Sequence, residues 1–151
     1  MHLAVGCDHV AVELKLALEE TLTELGHTFE DFGTYDTERA AYPRYASKVC
    51  RAIQAGQAEA GLLICGTGLG MSITANKYKG IRAACVSEPY SAKMSREHNN
   101  ANVLTMGARV VGVELARMIL TEWLAAEYAG GRHQERLDMI ADIETGEGDV
   151  R

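Results

Sequence analysis

The sequence predicts one α/β domain, a sandwich with helices on both faces of a parallel sheet. Short apolar runs alternate with longer helical stretches, the pattern of repeated strand–helix–strand units. Parallel neighbours need crossover connections, and right-handed crossovers place helices on both faces. The 151 residues suit a single domain, with no internal repeat and no linker long enough to divide them.

Residues 2–6 read as a first strand ending at glycine. Leu14, Leu18, Leu22 and Leu25 then recur on one face of a helix from Val12 to Leu25, which Gly26 stops. His27 to Phe32 is a second strand, closed by Gly33. After Pro43 a helix carries Tyr45, Val49 and Ile53 on one face and stops near Gly56. Gly61 to Cys65 is a buried-type strand that runs into a glycine-rich loop, with a helix over Met71–Ala75. Ile81 to Val86 is a fourth strand, followed by a helix through about Glu97. Asn102 to Met106 is a fifth. Val110 to Tyr128 reads as a long amphipathic helix bearing Leu115, Ile119 and Trp123, broken by Gly130-Gly131. A last helix spans about His133 to Ile143, and residues 144–151 read as an acidic, frayed tail.

The formal net charge is -6, which argues against nonspecific binding to nucleic acid or anionic membranes, since both need a basic surface. No apolar run approaches the ~20 residues of a membrane span. MHLAVGCDH lacks the basic stretch and apolar core of a signal peptide, so a cytoplasmic location is expected. Cys7, Cys50, Cys65 and Cys85 form no CxxC pair and read as reduced thiols. No histidine lies at metal-ligand spacing from a cysteine or another histidine.

Parallel sheets bind ligands beyond the carboxyl ends of their strands. That directs attention to Cys7-Asp8-His9, Cys65–Gly70, Ser87-Glu88 and Gly107–Arg109. In Cys65-Gly66-Thr67-Gly68-Leu69-Gly70, alternating glycines let backbone N–H groups approach a ligand at a helix N-terminus; the alternative is a tight turn with no ligand, though three glycines exceed what a turn requires. A dinucleotide GxGxxG fails because its third glycine falls at Met71. A Walker A loop lacks its Lys-Ser/Thr, and a cysteine phosphatase would need arginine at Met71. Cys65 can serve as a base, because adjacent donors lower a thiol's pKa, or pack as a small hydrophobe. Cys7 and Cys85 raise the same question, whereas Cys50 reads as core. Asp8 and His9 can orient sugar hydroxyls, with a helix N-cap as the alternative for Asp8. His98 sits at a helix end, where a structural role is equally open. Arg132 and Arg136 share a helix face suited to phosphate or simply to solvent.

GCDHVAVELK, LLICGTGLGMSITANKYKGIRAACVSEPYSA, SREHNNANVLTMGARVVG and GGRHQERL together resemble the ribose-5-phosphate isomerase B family, in unchanged order from about Leu3 to Ile143. The broader family includes isomerases of galactose 6-phosphate, allose 6-phosphate and tetrose phosphates. The resemblance implies a Rossmann-like α/β/α domain over residues 1–143 with a five-stranded parallel sheet. It implies a homodimer, in some members a tetramer, with the site shared between subunits, and no metal or organic cofactor. It further implies interconversion of ribose 5-phosphate and ribulose 5-phosphate through an enediolate, a step of the pentose phosphate pathway. Cys65 matches the thiol that moves the proton. Another branch has glutamate as base where this chain has Met71, which places the sequence in the cysteine branch. Asp8 and His98 match ring-opening residues. Thr67 and the amides of Gly66, Gly68 and Gly70 match the groups that assist the thiol and hold the enediolate oxygens. Asn99 matches a hydroxyl contact. His9, Arg109, Arg132 and Arg136 match phosphate ligands, and Tyr42 a substrate contact. The family usually has an acidic residue before Tyr-Pro, where this chain has Ala41, a difference that bears on the substrate contact at Tyr42 and on which sugar fits. A different phosphorylated aldose, or sugar-phosphate sensing without catalysis, are the alternative functions.

Overall fold

The computed structural model describes residues 1–147. Five strands alternate with helices: β1 (His2–Cys7), α1 (Val12–Glu24), β2 (Thr28–Asp31), α2 (Tyr42–Gln54), β3 (Ala60–Cys65), α3 (Leu69–Ala75), β4 (Ala83–Cys85), α4 (Pro89–Glu97), β5 (Val103–Gly107), α5 (Val113–Ala125) and α6 (Arg132–Thr145). All neighbouring strands are parallel, in the order β2-β1-β3-β5-β4. The expected α/β/α architecture with a five-stranded parallel sheet is therefore present.

Burial explains the order. Every residue of the central strand β3 is buried, as a parallel strand covered on both faces must be. One core unites Leu3, Leu62, Ile64 and Leu104 with Leu18, Leu22, Ile119 and Trp123. The other sets Ala4, Leu63 and Val103 against Val49, Met71 and Ala75. The chain passes from β1 outward to β2, then back to β3 on the other side. That reversal between β1 and β3 opens a crevice at their carboxyl ends.

Several boundaries differ from the sequence reading. β4 covers only Ala83–Cys85, because Ile81 is buried off the strand and Arg82 is held by Asn102 through its N–H. α5 begins at Val113, after Gly112 in extended backbone at its N-cap, and Val110 and Leu115 lie exposed. Its buried stripe is instead Ala116, Ile119, Leu120, Trp123 and Leu124. α3 starts two residues earlier than expected, at Leu69. Asp8 does not cap α1: Ala11 occupies the cap position, and Asp8 Oδ1 accepts the N–H of Val10. Leu25 is exposed rather than on the apolar stripe. α6 runs through Thr145, so the first residues read as tail are helical; residues 148–151 lie outside the described residues. Among the described residues, no helix is long and apolar enough to cross a membrane.

α1 also buries charge. Lys15 and Glu19, one turn apart on the face that carries Leu18 and Leu22, are buried. Lys15 Nζ contacts Asp31 at 2.5 Å. Burial, followed by the nearby Asp31 carboxylate, pushes the Glu19 carboxyl up to about 7. A carboxyl held above its unfolded value binds its proton more tightly in the folded state. Stability is then lost as pH rises from about 4.5 to 7. Glu19→Gln is expected to be more stable than the parent above pH 7, by about 1–2 kcal/mol allowing for solvent screening. The advantage shrinks as pH falls and vanishes below pH ~4.5. Denaturant melts of both proteins at pH 5 and pH 8 check this; an equal difference at both would contradict it.

Candidate active site

The strand ends at the crevice are knitted together by backbone. Asp8 N–H donates to the Ile64 carbonyl at 3.1 Å, Ala108 N–H to the Cys65 carbonyl at 2.8 Å, and Arg109 N–H to the Gly66 carbonyl at 3.0 Å. Asp8, the Cys65–Gly70 loop and Gly107–Arg109 therefore share one edge of the sheet. The Cys65 side chain is 5% exposed, and Gly68 N–H donates to its Sγ at 3.2 Å. Gly68 adopts φ +82° as the N-cap of α3, a left-handed conformation that favours glycine. The buried Thr105 hydroxyl donates to the Gly68 carbonyl at 3.0 Å. Thr67 Oγ1 accepts the N–H of Leu69 at 3.2 Å. The N–H groups of Gly66, Thr67 and Gly70 find no acceptor among the described residues. The loop thus presents backbone donors beside a thiol.

The other cysteines separate by environment. All four are free thiols. Burial pushes the Cys7 thiol to about 12 and the Cys50 thiol to about 11, which removes both as bases near neutral pH. Cys85 is exposed, its Sγ facing the Thr67 carbonyl at 3.7 Å.

Gly107 shows how tightly the edge is packed. A Cβ there would lie 2.6 Å from the backbone of Thr67, and backbone cannot swing aside as a side chain can. Gly107→Ala is expected to displace the Cys65–Gly70 loop, costing about 1–3 kcal/mol of stability and most of the turnover. A thermal melt and initial rates check this; unchanged rates would show that the loop tolerates the shift.

A cleft of about 510 Å³ opens beside this loop, lined by Asp8, His9, Arg39, Ala40, Ala41, Tyr42 and Pro43. Asp8 is buried and His9 half-buried. His9 Nδ1 accepts the Ala40 N–H at 3.2 Å. Tyr42 opens α2 and lays its ring across Gly70, where a Cβ would come within 2.7 Å of it. The stem of the exposed Arg109 passes Gly66. Arg39, in a loop with no recognisable motif, escaped the sequence reading; only its closeness to Tyr42-Pro43 hinted at it.

The remaining candidates stand elsewhere. α4 runs back along the sheet from the carboxyl edge, and nine helical residues span roughly 13 Å. His98, at its C-cap, and Asn99 therefore lie by the opposite edge. There Arg82, just before β4, donates through Nε to the carbonyls of Asn99 (3.2 Å) and Asn100 (2.9 Å). Ala129 N–H donates to the Glu97 carbonyl at 3.0 Å, which brings the start of α6 beside His98. The rings of His98 and His133 stack with centroids 4.3 Å apart. Burial, then His98 and the arginines at 132 and 136, lowers the pKa of His133. Arg132 and Arg136 are exposed on this helix. Within one chain, then, Asp8, His9, Tyr42, Cys65, Thr67, the loop glycines and Arg109 form one group. His98, Asn99, Arg132 and Arg136 form another at the far edge. Among the described residues, no group of three or more His, Cys, Asp or Glu side chains is arranged to hold a metal ion.

Comparison with known proteins bears on the chemistry. Residues 3–140 match the family model described as Ribose/Galactose Isomerase. The chain is 54% identical to ribose-5-phosphate isomerase B of Escherichia coli strain K12, over 94% of this chain and 95% of that one. It is 42% identical to D-erythrulose-4-phosphate isomerase of Pectobacterium atrosepticum, over 95% of each. The solved Clostridium thermocellum ribose-5-phosphate isomerase B superposes with a TM-score of 0.95 at 46% identity, covering 97% of this chain and 99% of that one.

Proposed function

Because the chain belongs to the ribose/galactose isomerase family, we propose that this sugar-phosphate isomerase interconverts ribose 5-phosphate and ribulose 5-phosphate without a cofactor. The observation that carries the reading is Cys65, a thiol at the end of the central strand with a backbone N–H on its sulfur and further donors beside it. Asp8 and His98 open the furanose ring by moving the proton between the ring oxygen and the anomeric hydroxyl. The Cys65 thiolate then takes the proton from C2 of the open aldose. The electron pair moves into the C1–C2 bond, and negative charge reaches the carbonyl oxygen. The thiol returns its proton to C1 as the hydroxyl proton passes between the two oxygens, leaving the ketose.

A proton beside a carbonyl is weakly acidic, so the enediolate must be stabilised where its charge develops. The amides of Gly66, Gly68 and Gly70, aided by Thr67, are fixed in advance and need no reorganisation. A positioned acid–base group adds about 10²–10⁴-fold, so thiol and loop act together. His9, Arg109, Arg132 and Arg136 hold the phosphate, Asn99 a sugar hydroxyl and Tyr42 the substrate's flank. Binding at the remote phosphate places C1 and C2 within reach of one sulfur.

The two groups of residues lie at opposite edges of the sheet within one chain, so the proposed site draws on two chains. A homodimer supplies each site with the loop group of one protomer and the helix group of the other. The net charge of -6 is no obstacle, since one phosphate needs only local arginines and amide dipoles.

The similarity to an erythrulose-4-phosphate isomerase and the presence of Ala41 beside the cleft favour testing other sugars together with ribose 5-phosphate. Specificity constants for ribose 5-phosphate, allose 6-phosphate and erythrose 4-phosphate, measured in D₂O after dialysis against EDTA, form one experiment. The expected result is highest kcat/KM for ribose 5-phosphate, deuterium entering at C1 or C2, and activity undiminished by chelation. Preference for another aldose would move the substrate assignment. Complete retention of the carbon-bound hydrogen would replace proton transfer by a hydride shift.

A further inference from the structure

Asp8 and His9 follow the end of β1, and the contacts that hold this turn lie beneath it. Lys15 is 1% exposed. Its ammonium donates to Asp31 Oδ2 and, at 2.9 Å, to the Thr34 carbonyl. It also stands 4.9 Å from the centre of the Tyr35 ring. The second oxygen of Asp31 accepts the Gly33 N–H at 2.7 Å. This segment is laced to β1: Cys7 N–H donates to the Gly33 carbonyl at 2.7 Å, and Thr34 N–H to the Cys7 carbonyl at 2.9 Å. A few residues on, the same loop reaches His9 through the Ala40 N–H and walls the cleft from Arg39 to Pro43.

A buried ion pair adds little net stability over apolar residues of the same volume. It does supply direction, because an ammonium can grip two oxygens at defined positions while an apolar side chain grips neither. We propose that Lys15 is a positioning residue for the isomerase: holding Asp31 and the Thr34 carbonyl, it fixes loop 31–43, which braces the Asp8–His9 turn and walls the cleft. The proposal rests on reading that cleft as the sugar-phosphate site.

The test compares Lys15→Met with the double variant Lys15→Met/Asp31→Asn, which also removes the carboxylate left unpaired. Both are followed by thermal melts, by hydrogen exchange of backbone amides and by initial rates on ribose 5-phosphate. Lys15→Met is expected to raise exchange in residues 32–43 about tenfold while β3 and α5 stay protected. Its kcat/KM is expected to fall about a hundredfold, the cost of a displacement near 1 Å, with more of the loss in KM than in kcat. In the double variant the melting temperature should recover while kcat/KM stays low. Recovery of kcat/KM along with stability would overturn the proposal, leaving Lys15 only a partner for a buried charge. A kcat/KM within about threefold of the parent in Lys15→Met would overturn it too. Failure of the unmodified protein to turn over any phosphorylated sugar would instead sink the functional reading. Loop ordering by Lys15 would then be decided by the exchange data alone.

Discussion

Cys65→Ala is expected to lower kcat on ribose 5-phosphate by about 10³-fold or more, since in the proposed mechanism the lost group is the acid–base that moves the carbon-bound proton. Binding should survive, because the residues proposed to hold the phosphate lie elsewhere and the loop amides belong to backbone. Gly68 N–H loses its acceptor on sulfur, a change confined to one partly shielded donor, so the fold should persist with a melt lowered by no more than a few degrees. Single-turnover rates and ligand titration separate the two effects. Near-parental turnover in this variant would remove the thiol from the mechanism.

The second large effect concerns the two edges of the sheet. On the proposed shared site, the Cys65→Ala and His98→Asn proteins should each be nearly inactive, one lacking the proposed proton carrier and the other the proposed ring-opening histidine. When the two are unfolded together and refolded, about half of the dimers will be mixed. Each mixed dimer holds one doubly defective site and one that takes Cys65 from one chain and His98 from the other. About a quarter of the parental activity should therefore return. Size-exclusion chromatography with light scattering establishes the assembly, and activity against mixing ratio gives the curve. No recovery in a preparation shown to contain mixed dimers would mean that one chain supplies the entire site.

The elements that sequence reading located well are those whose signal is local. β3 is a continuous apolar run bounded by glycines, and such a run can be buried on both faces only in the middle of a parallel sheet. The apolar spacing of α1 and α2 likewise marked the helices. Boundaries failed where packing overrode pattern. Val110 and Leu115 look apolar enough for the buried face of α5, yet both are exposed, because Gly112 delays the helix and sets its rotation. The loop residues Cys65–Gly70 were legible because glycines after a buried strand serve few purposes. Arg39 was not, since it belongs to no motif, and Lys15 was not, since its place at the end of GCDHVAVELK gives no sign of its contact with Asp31.

Sequence alone determined the alternation of strands and helices, the glycine loop with its thiol, and the family resemblance carried by motifs from Leu3 to Ile143. These depend on contacts between residues close in the chain or on the identity of single residues. Tertiary structure decided three other matters. It brought Asp8 beside Cys65 by making β1 and β3 neighbours at the reversal of strand order. It put His98 and Asn99 at the opposite edge, because α4 must run back antiparallel to the strands it covers. It set Lys15 against Asp31 and Thr34, a pairing fixed by how α1 lies across the first two strands. Each depends on the registration of elements distant in sequence, which local hydrophobic spacing does not encode.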